Sequence, residues 1–282
     1  MTQSRRDYLA HHLRPPGLQI AVALQVRGAA GALAAGRPEL LVGPERLQLP
    51  ETLWKLVRTL GVRVVTAPGP RVAAAVHWTL ATWAAPSPLA GAVNGGCTDI
   101  SKRRVEAASR AVLGYGAGID PERHEGACVR KGDENARHDG VVVRAPVRPE
   151  PGMIYQRLVD TEVAPGVIEE LRVPVVASAL PGVYVKRRPV ADRFGHGPSR
   201  ALLARPADVF DRAERDALLR LCREMRLDFG ELDVLRDRRD GRIYVVDVNR
   251  TPWGPPRTLG TRGALRAVGL AAEAFHDAFL RR

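Results

Sequence analysis

The chain has 282 residues, 45% hydrophobic and 26% charged, enough to bury a substantial core in one large domain or two to three small ones. Its formal net charge of +12 favours anionic partners. The arginines are dispersed, however, without a basic arm, an aromatic stacking stripe or a zinc-finger pattern, which argues against specific nucleic-acid binding.

No apolar run is long enough to span a bilayer, and the start MTQSRRDYLAHHL lacks the apolar core of a secretion signal, so the expected location is the cytoplasm. Residues 1–93 read as a small α/β unit. Strands are expected at 18–26 (LQIAVALQV), 40–42 and 62–66 (VRVVT), and a short helix at 51–60 after Pro50. The β-branched runs bounded by Gly and Pro fit a buried parallel sheet. Residues 72–83 read as a helix carrying Trp78 and Trp83 into a core or lid. His11, His12 and His77 have no partners at metal-ligand spacing and read as structural. The stretch 85–89 (APSPL) reads as a linker. The three cysteines, Cys97, Cys128 and Cys222, lack CxxC spacing and are odd in number, against a disulfide framework or zinc ribbon. Cys97, in a Gly-rich loop, reads as a reduced thiol rather than a nucleophile.

A helix is expected from a cap at Asp99 or Ser101 to Leu113, stopped by a Gly-rich turn. Lys102 and the arginines after it occupy the first turn, against the helix dipole, which suggests an anion nearby. Residues 127–131 (ACVRK) and 141–144 read as strands around a polar loop, 132–140 (GDENARHDG). A lysine ending a strand before such a loop can close over phosphates, with Lys131 and the loop N–H groups as donors. An ordinary polar hairpin is the other reading. Only four lysines occur, Lys55, Lys102, Lys131 and Lys186, in a chain that otherwise uses arginine, which favours a specific role for Lys131.

The strand 153–159 (MIYQRLV) leads to the acids Asp160 and Glu162. Residues 171–178 (LRVPVVAS) and 182–186 (GVYVK) read as paired strands, from which Arg172 can point into a cleft. An amphipathic helix is expected at 210–225. Then comes a hairpin, with strands 232–235 and 242–248 around the turn 239–241 (RDG). A side-chain period of two places Asp247 and Asn249 on one face, and the hairpin can bring Asp233 beside them. Two carboxylates and an amide suit Mg²⁺ when phosphate oxygens complete the shell. A surface hairpin with solvated acids is the alternative. A helix at 265–279 ends the pattern.

In order, a DISK helix start, a strand lysine with a polar loop, a strand followed by acids, an arginine strand and an Asp…Asp-x-Asn hairpin resemble the ATP-grasp superfamily over residues 94–256. The resemblance implies an α+β fold, an ATP-grasp fold of two α+β lobes (94–160 and 161–282) preceded by a small α/β domain (1–93). It implies that ATP and Mg²⁺, as two ions, bind between the lobes. By resemblance, Lys102 and Lys131 face the nucleotide, and the loop 132–140, with Asp139, covers the phosphates. Gln156, Arg157 and Leu158 form the hinge beside adenine, and either Asp160 or Glu162 takes the ribose hydroxyls. Asp233, Asp247 and Asn249 are the implied Mg²⁺ ligands. Arg172 resembles the arginine that binds the transferred phosphate or the substrate carboxylate, and Lys131, Arg172 and Arg193 are the expected catalytic residues.

The chain departs from the family pattern at two places. Position 247 is Asp where many members carry Glu, and 190–206 lacks an Asn–Gly-Gly pattern, so Arg193 and His196 are expected to handle the acceptor. The implied reaction uses ATP to activate a small-molecule or peptide carboxylate as an acylphosphate, which an amine or similar nucleophile then attacks, with no protein nucleophile. A phosphotransferase acting on a hydroxyl, and a non-catalytic nucleotide-binding or scaffold protein, are the competing readings. Many family members are dimers, so a homodimer is the oligomer the resemblance suggests.

Overall fold

A computed structural model describes residues 37–195 and 199–281. The expected strand at 18–26, His11, His12 and His196 lie outside these residues. The first strand, β1 (Glu39–Pro44), is the middle of a parallel three-stranded sheet between β2 (Arg63–Val65) and β3 (Val72–Trp78). Helix α1 (Thr52–Thr59) links β1 to β2 and buries Leu53, Leu56 and Val57.

The helix expected at 72–83 is instead the strand β3, followed by irregular chain. Its Ala-rich sequence favours a helix by only tenths of a kcal/mol per residue. Pairing along β1 satisfies the backbone, and a period of two sends both Val76 and Trp78 into the core, which outweighs that preference. Trp83, beyond the strand, is half exposed.

Helix α2 (Lys102–Leu113) starts at an N-cap Ser101, whose side chain accepts from Arg104 N, and ends at Gly114 with φ 79°. That left-handed cap is one glycine adopts without strain. Strands β4 (Gly126–Gly132), β5 (Val141–Ala145) and β6 (Met153–Arg157) then form a small antiparallel sheet in the order β5-β4-β6.

The large antiparallel sheet contains β7 (Glu162–Ala164), β8 (Val167–Val176), β9 (Val183–Pro189), β10 (Arg200–Ala204), β11 (Phe229–Arg236) and β12 (Ile243–Asn249). Its order is β10-β9-β8-β11-β12, with β7 on β8. The short helix α3 (Pro206–Val209) and helix α4 (Arg212–Glu224), the latter with an Asp211/Glu214 capping box, precede β11. Val173, Val175, Val183, Val185, Leu232, Val234 and Val248 meet Val105 and Ala108 of α2 and Leu218, Leu221 and Cys222 of α4 in one apolar core. One face of the large sheet is thus sealed by helices.

Helix α5 (Gly260–Phe275) continues through a π turn, His276–Leu280. Its Val268, Ala271, Ala272 and Phe275 join Leu40, Leu53, Leu56 and Trp78 of the N-terminal unit and Val176 and Phe229 of the large sheet in a second core. Phe275 is fully buried, edge-on to Phe229 at 5.7 Å and to Phe279 at 5.0 Å. Phe275→Ala is expected to cost about 3–5 kcal/mol, measured by urea denaturation. An unchanged unfolding free energy would show that this shared core does not hold the N-terminal unit to the sheet.

Candidate functional site

The open face of the large sheet is polar by register. Antiparallel partners share a face, and the pairs Asp233↔Arg172, Arg172↔Tyr184, Glu170↔Lys186, Asp233↔Asp247 and Glu231↔Asn249 all fall on it. Strict alternation along β12 would have put Asp247 with Val245 in the apolar core. A bulge prevents this: Asp233 pairs with Asp247 but Val234 pairs with Val245, leaving Val246 as the extra residue. The bulge aims Asp247 at Asp233.

At the centre of this face Arg172 binds Asp233 as a fork, Nε to Oδ1 at 2.7 Å and Nη2 to Oδ2 at 3.1 Å. Burial alone would raise the Asp233 pKa, but the guanidinium holds it below the usual carboxylate value. Glu170 is shared by Lys186 Nζ at 3.0 Å, Arg188 Nη2 at 3.2 Å and, more distantly, Arg172 Nη2 at 3.7 Å. Asp247 differs. Burial raises its pKa against the pull of Lys102 and Lys131, and among the described residues its Oδ1 accepts only the Val248 N–H.

The small sheet delivers its lysine across the gap between sheets: Lys131 on β4 donates Nζ to the Val246 carbonyl at the bulge, at 3.0 Å. Burial pushes this ammonium down to about 8, with Asp247 opposing. Lys102 is buried and donates Nζ to Glu134 O at 2.6 Å, tying the loop 132–140 to α2. The same loop is held by Asn135 N on Thr82 Oγ1 and by Gly132 N on Asp139 Oδ1, both at 2.9 Å. Asp139 therefore bonds its own loop's backbone here.

Of the residues expected beside adenine, Gln156 is buried and Arg157 N donates to Ala117 O at 2.8 Å. The Arg157 guanidinium lies over the Tyr244 ring, 5.1 Å from its centroid. Leu158 lines a cleft of about 500 Å³ with Gly140, Val141 and Val142 from the loop side and Val190–Gly195 from the other. Both ribose candidates are occupied: Asp160 by Arg238 Nε at 2.8 Å, and Glu162 by Gly166 N at 2.8 Å. Arg193 lines this cleft, with Asp160 and Glu162 as its charge partners and Val159 O as acceptor at 3.4 Å. It shares this cleft with Leu158 and lies beside Asp160 and Glu162.

The donor set is compatible with Mg²⁺ but not self-sufficient. Among the described residues no three His, Cys, Asp or Glu side chains form a metal-holding group. Asn249 Oδ1 already accepts Thr251 N at 2.8 Å. Hard oxygens remain on Asp247 and in the second lone pairs of Asp233, as an ion that takes most of its shell from phosphates and water requires.

Sequence reading missed three buried residues: Glu231, Lys55 and Arg250. Glu231 lies on the polar face, its pKa pushed up to about 7 by burial. Lys55 is lowered to about 8 by burial and donates to Trp253 O at 3.2 Å and Gly254 O at 2.6 Å. Arg250 is spent on the carbonyls of Thr79, Ala81 and Cys97. The scarcity of lysine was the available signal for Lys55. All four lysines bear electrostatically on Glu231, Asp233 or Asp247.

The Arg172–Asp233 fork has a pH signature. A carboxylate with a lowered folded pKa adds stability that is complete above its unfolded pKa of about 3.9 and is lost as pH falls through the lower folded value. Arg172→Met leaves a buried carboxylate unpaired and so raises its pKa. The variant should lose about 3–5 kcal/mol at pH 7 and less at pH 5, where the acid can protonate. Urea titrations at both pH values check this, and equal losses at the two would refute it.

No family model and no curated protein matches the sequence. Solved structures do match. D-alanine–D-alanine ligase from Bacillus anthracis, complexed with ATP, superposes at TM-score 0.53 and 12% identity, over 86% of this chain and 94% of that one. D-cycloserine synthetase DcsG matches at TM-score 0.50 and 18% identity, over 84% and 99%. The ATP-grasp ligase PsnB with minimal precursor, Mg and ADP matches at TM-score 0.50 and 14% identity, over 84% and 98%. Against two further PsnB structures the chain spans 59% and 60% of their length. The two sheets facing each other, one bearing a lysine and the other an acid pair, are accordingly the two lobes of an ATP-grasp fold, which is the fold of this chain.

Proposed function

We propose that this protein is an ATP-dependent ligase that activates a carboxylate as an acylphosphate and joins it to an amine or similar nucleophile. The observation that carries the reading is the convergence of Lys131 and Lys102 on Asp247, directly across from the Arg172–Asp233 fork. Cations of one sheet and carboxylates of the other are what a polyphosphate with its metal needs between them.

In this reading adenine lies against the hinge at Gln156, Arg157 and Leu158. The ribose lies toward Asp160 or Glu162, and Arg193 serves the nucleotide from the hinge end. Lys102 and Lys131 hold the phosphates, and the loop 132–140, with Asp139, excludes water that would hydrolyse an acylphosphate. Asp233, Asp247 and Asn249 would hold Mg²⁺, which, when bound, neutralises charge on the transferring phosphoryl group. Arg172, on the same face, would meet the transferred phosphate or the substrate carboxylate. Catalysis is then positioning and charge neutralisation, with no protein nucleophile. The buried thiols agree with this, since burial pushes Cys97 up to about 11 and Cys222 up to about 12, far from thiolates at neutral pH.

Asp247→Asn combined with Asn249→Ala should lower Mg-dependent ADP formation by at least about a hundredfold, the scale seen when a charge-stabilising group is removed, while the unfolding transition persists. Full turnover in the folded double variant would sink the metal assignment. Product analysis separates the chemistry: free phosphate with a new amide supports the ligase, and a phosphorylated product without free phosphate would replace it with a phosphotransferase.

A further inference from the structure

Arg250 follows Asn249 in the chain and is fully buried. Three backbone carbonyls hold its guanidinium: Nε donates to Thr79 O at 3.2 Å, Nη1 to Cys97 O and Nη2 to Ala81 O. Among the described residues no carboxylate forms an ion pair with it; Asp99 and Glu45 act on it only from a distance. A core that needed only filling would be served better by an apolar side chain, since an unpaired buried cation is costly. What a guanidinium adds is a planar fork of donors that reaches several carbonyls at once.

The carbonyls it clamps belong to two segments, and both lead to the loop 132–140. Ala81 precedes Thr82, whose Oγ1 accepts Asn135 N at 2.9 Å and whose carbonyl accepts Ile100 N at 3.0 Å. Cys97 opens the turn into α2, where Ala84 N donates to Thr98 O at 2.8 Å and Ser101 N to Asp99 Oδ1 at 2.7 Å. From the start of α2, Lys102 N donates to Asp133 O at 3.1 Å and Lys102 Nζ to Glu134 O at 2.6 Å. Asp133, Glu134 and Asn135 of the loop thus hang on the two segments that Arg250 grips. Its own backbone lies in the turn that Asn249 makes, with Thr251 N donating to Asn249 Oδ1 at 2.8 Å. Arg250 therefore connects the Asp247–Asn249 end of β12 with the anchors of the loop.

We propose that Arg250 is a positioning residue: through Thr82 and Lys102 it holds the loop 132–140 at a fixed distance from Asp247 and Asn249, so that a polyphosphate is gripped from both sides at once. This rests on the ligase reading above and adds the residue that ties its two phosphate-gripping parts together. Arg250 touches no phosphate itself. Without its fork the loop and the end of β12 shift independently, and the penalty falls on the phosphates of a bound nucleotide rather than on its base.

The test is a calorimetric titration of the full chain with ADP and with adenosine, Mg²⁺ present throughout. Arg250→Lys keeps the charge but loses the fork, and should weaken ADP by at least about tenfold and adenosine by less than about twofold. Thr82→Val removes the acceptor for Asn135 N while leaving the carbonyls that Arg250 grips, and should give a smaller loss of the same kind. Added to Arg250→Lys it should cost little more, because the same path is already cut. Equal weakening of ADP and adenosine would overturn the proposal and make Arg250 a support of the whole fold. Unchanged ADP affinity in folded Arg250→Lys, or additive losses in the double variant, would overturn it too. If Arg250→Lys does not fold, Thr82→Val decides: a loss selective for ADP supports the relay, and unchanged ADP affinity sinks it. Absence of ADP binding in wild type would overturn the ligase reading and this proposal with it, whereas the other outcomes leave that reading standing.

Discussion

The fork between Arg172 and Asp233 joins the two central strands of the large sheet on a face with few apolar groups. Such a pair adds little net stability over a well-packed hydrophobic alternative, yet loss of one member strands the other as a buried charge. The face therefore holds together only as a set. Glu170 answers Lys186 and Arg188 in the next row, and Lys102 and Lys131 answer Asp247 from outside the sheet. Every one of these ions is balanced by an opposite charge close by.

That polar face can exist because the other face is fully committed to the core. Helices α2 and α4 seal it by packing Val105, Ala108, Leu218, Leu221 and Cys222 on the inward Val and Leu side chains of the strands, so the sheet is rigid where the chemistry needs precise placement. The N-terminal unit contributes from the end of the sheet. It packs on α5 and Phe229, and its helix α1 fixes the segment 252–254 over Glu231. A unit that looks peripheral in the chain thus shapes one wall of the candidate site.

Lysine and arginine are used differently here. Arginine fills most of the surface pairs, where its charge is solvated and each pair contributes little, such as Arg205–Asp208 and Arg212–Asp216. Lysine is kept for a narrow, directional ammonium: on Val246 O at the bulge, on Glu134 O in the loop, on Gly254 O, and beside Glu170.

The sequence by itself determined most elements and the order of the charged residues, because these rest on local rules. Ser101 caps α2, Gly114 stops it, β-branched runs make strands, and the Arg-Asp-Gly turn closes the hairpin. It also brought the two strands of the hairpin together, since a turn sets register locally, although that register alone would pair Asp233 with Val246. What it did not carry depends on neighbours distant in the chain. An Ala-rich segment became β3 because β1 offered a backbone ladder, the bulge at Val246 rather than simple alternation turned Asp247 out of the core, and Arg193 came to share a cleft with Leu158. Glu231 and Lys55 are separated by most of the chain and look like ordinary surface charges in it. Only tertiary structure buries both and directs the ammonium of Lys55 to the Trp253 and Gly254 carbonyls instead of the acid, because burial and partner choice are properties of packing, not of spacing.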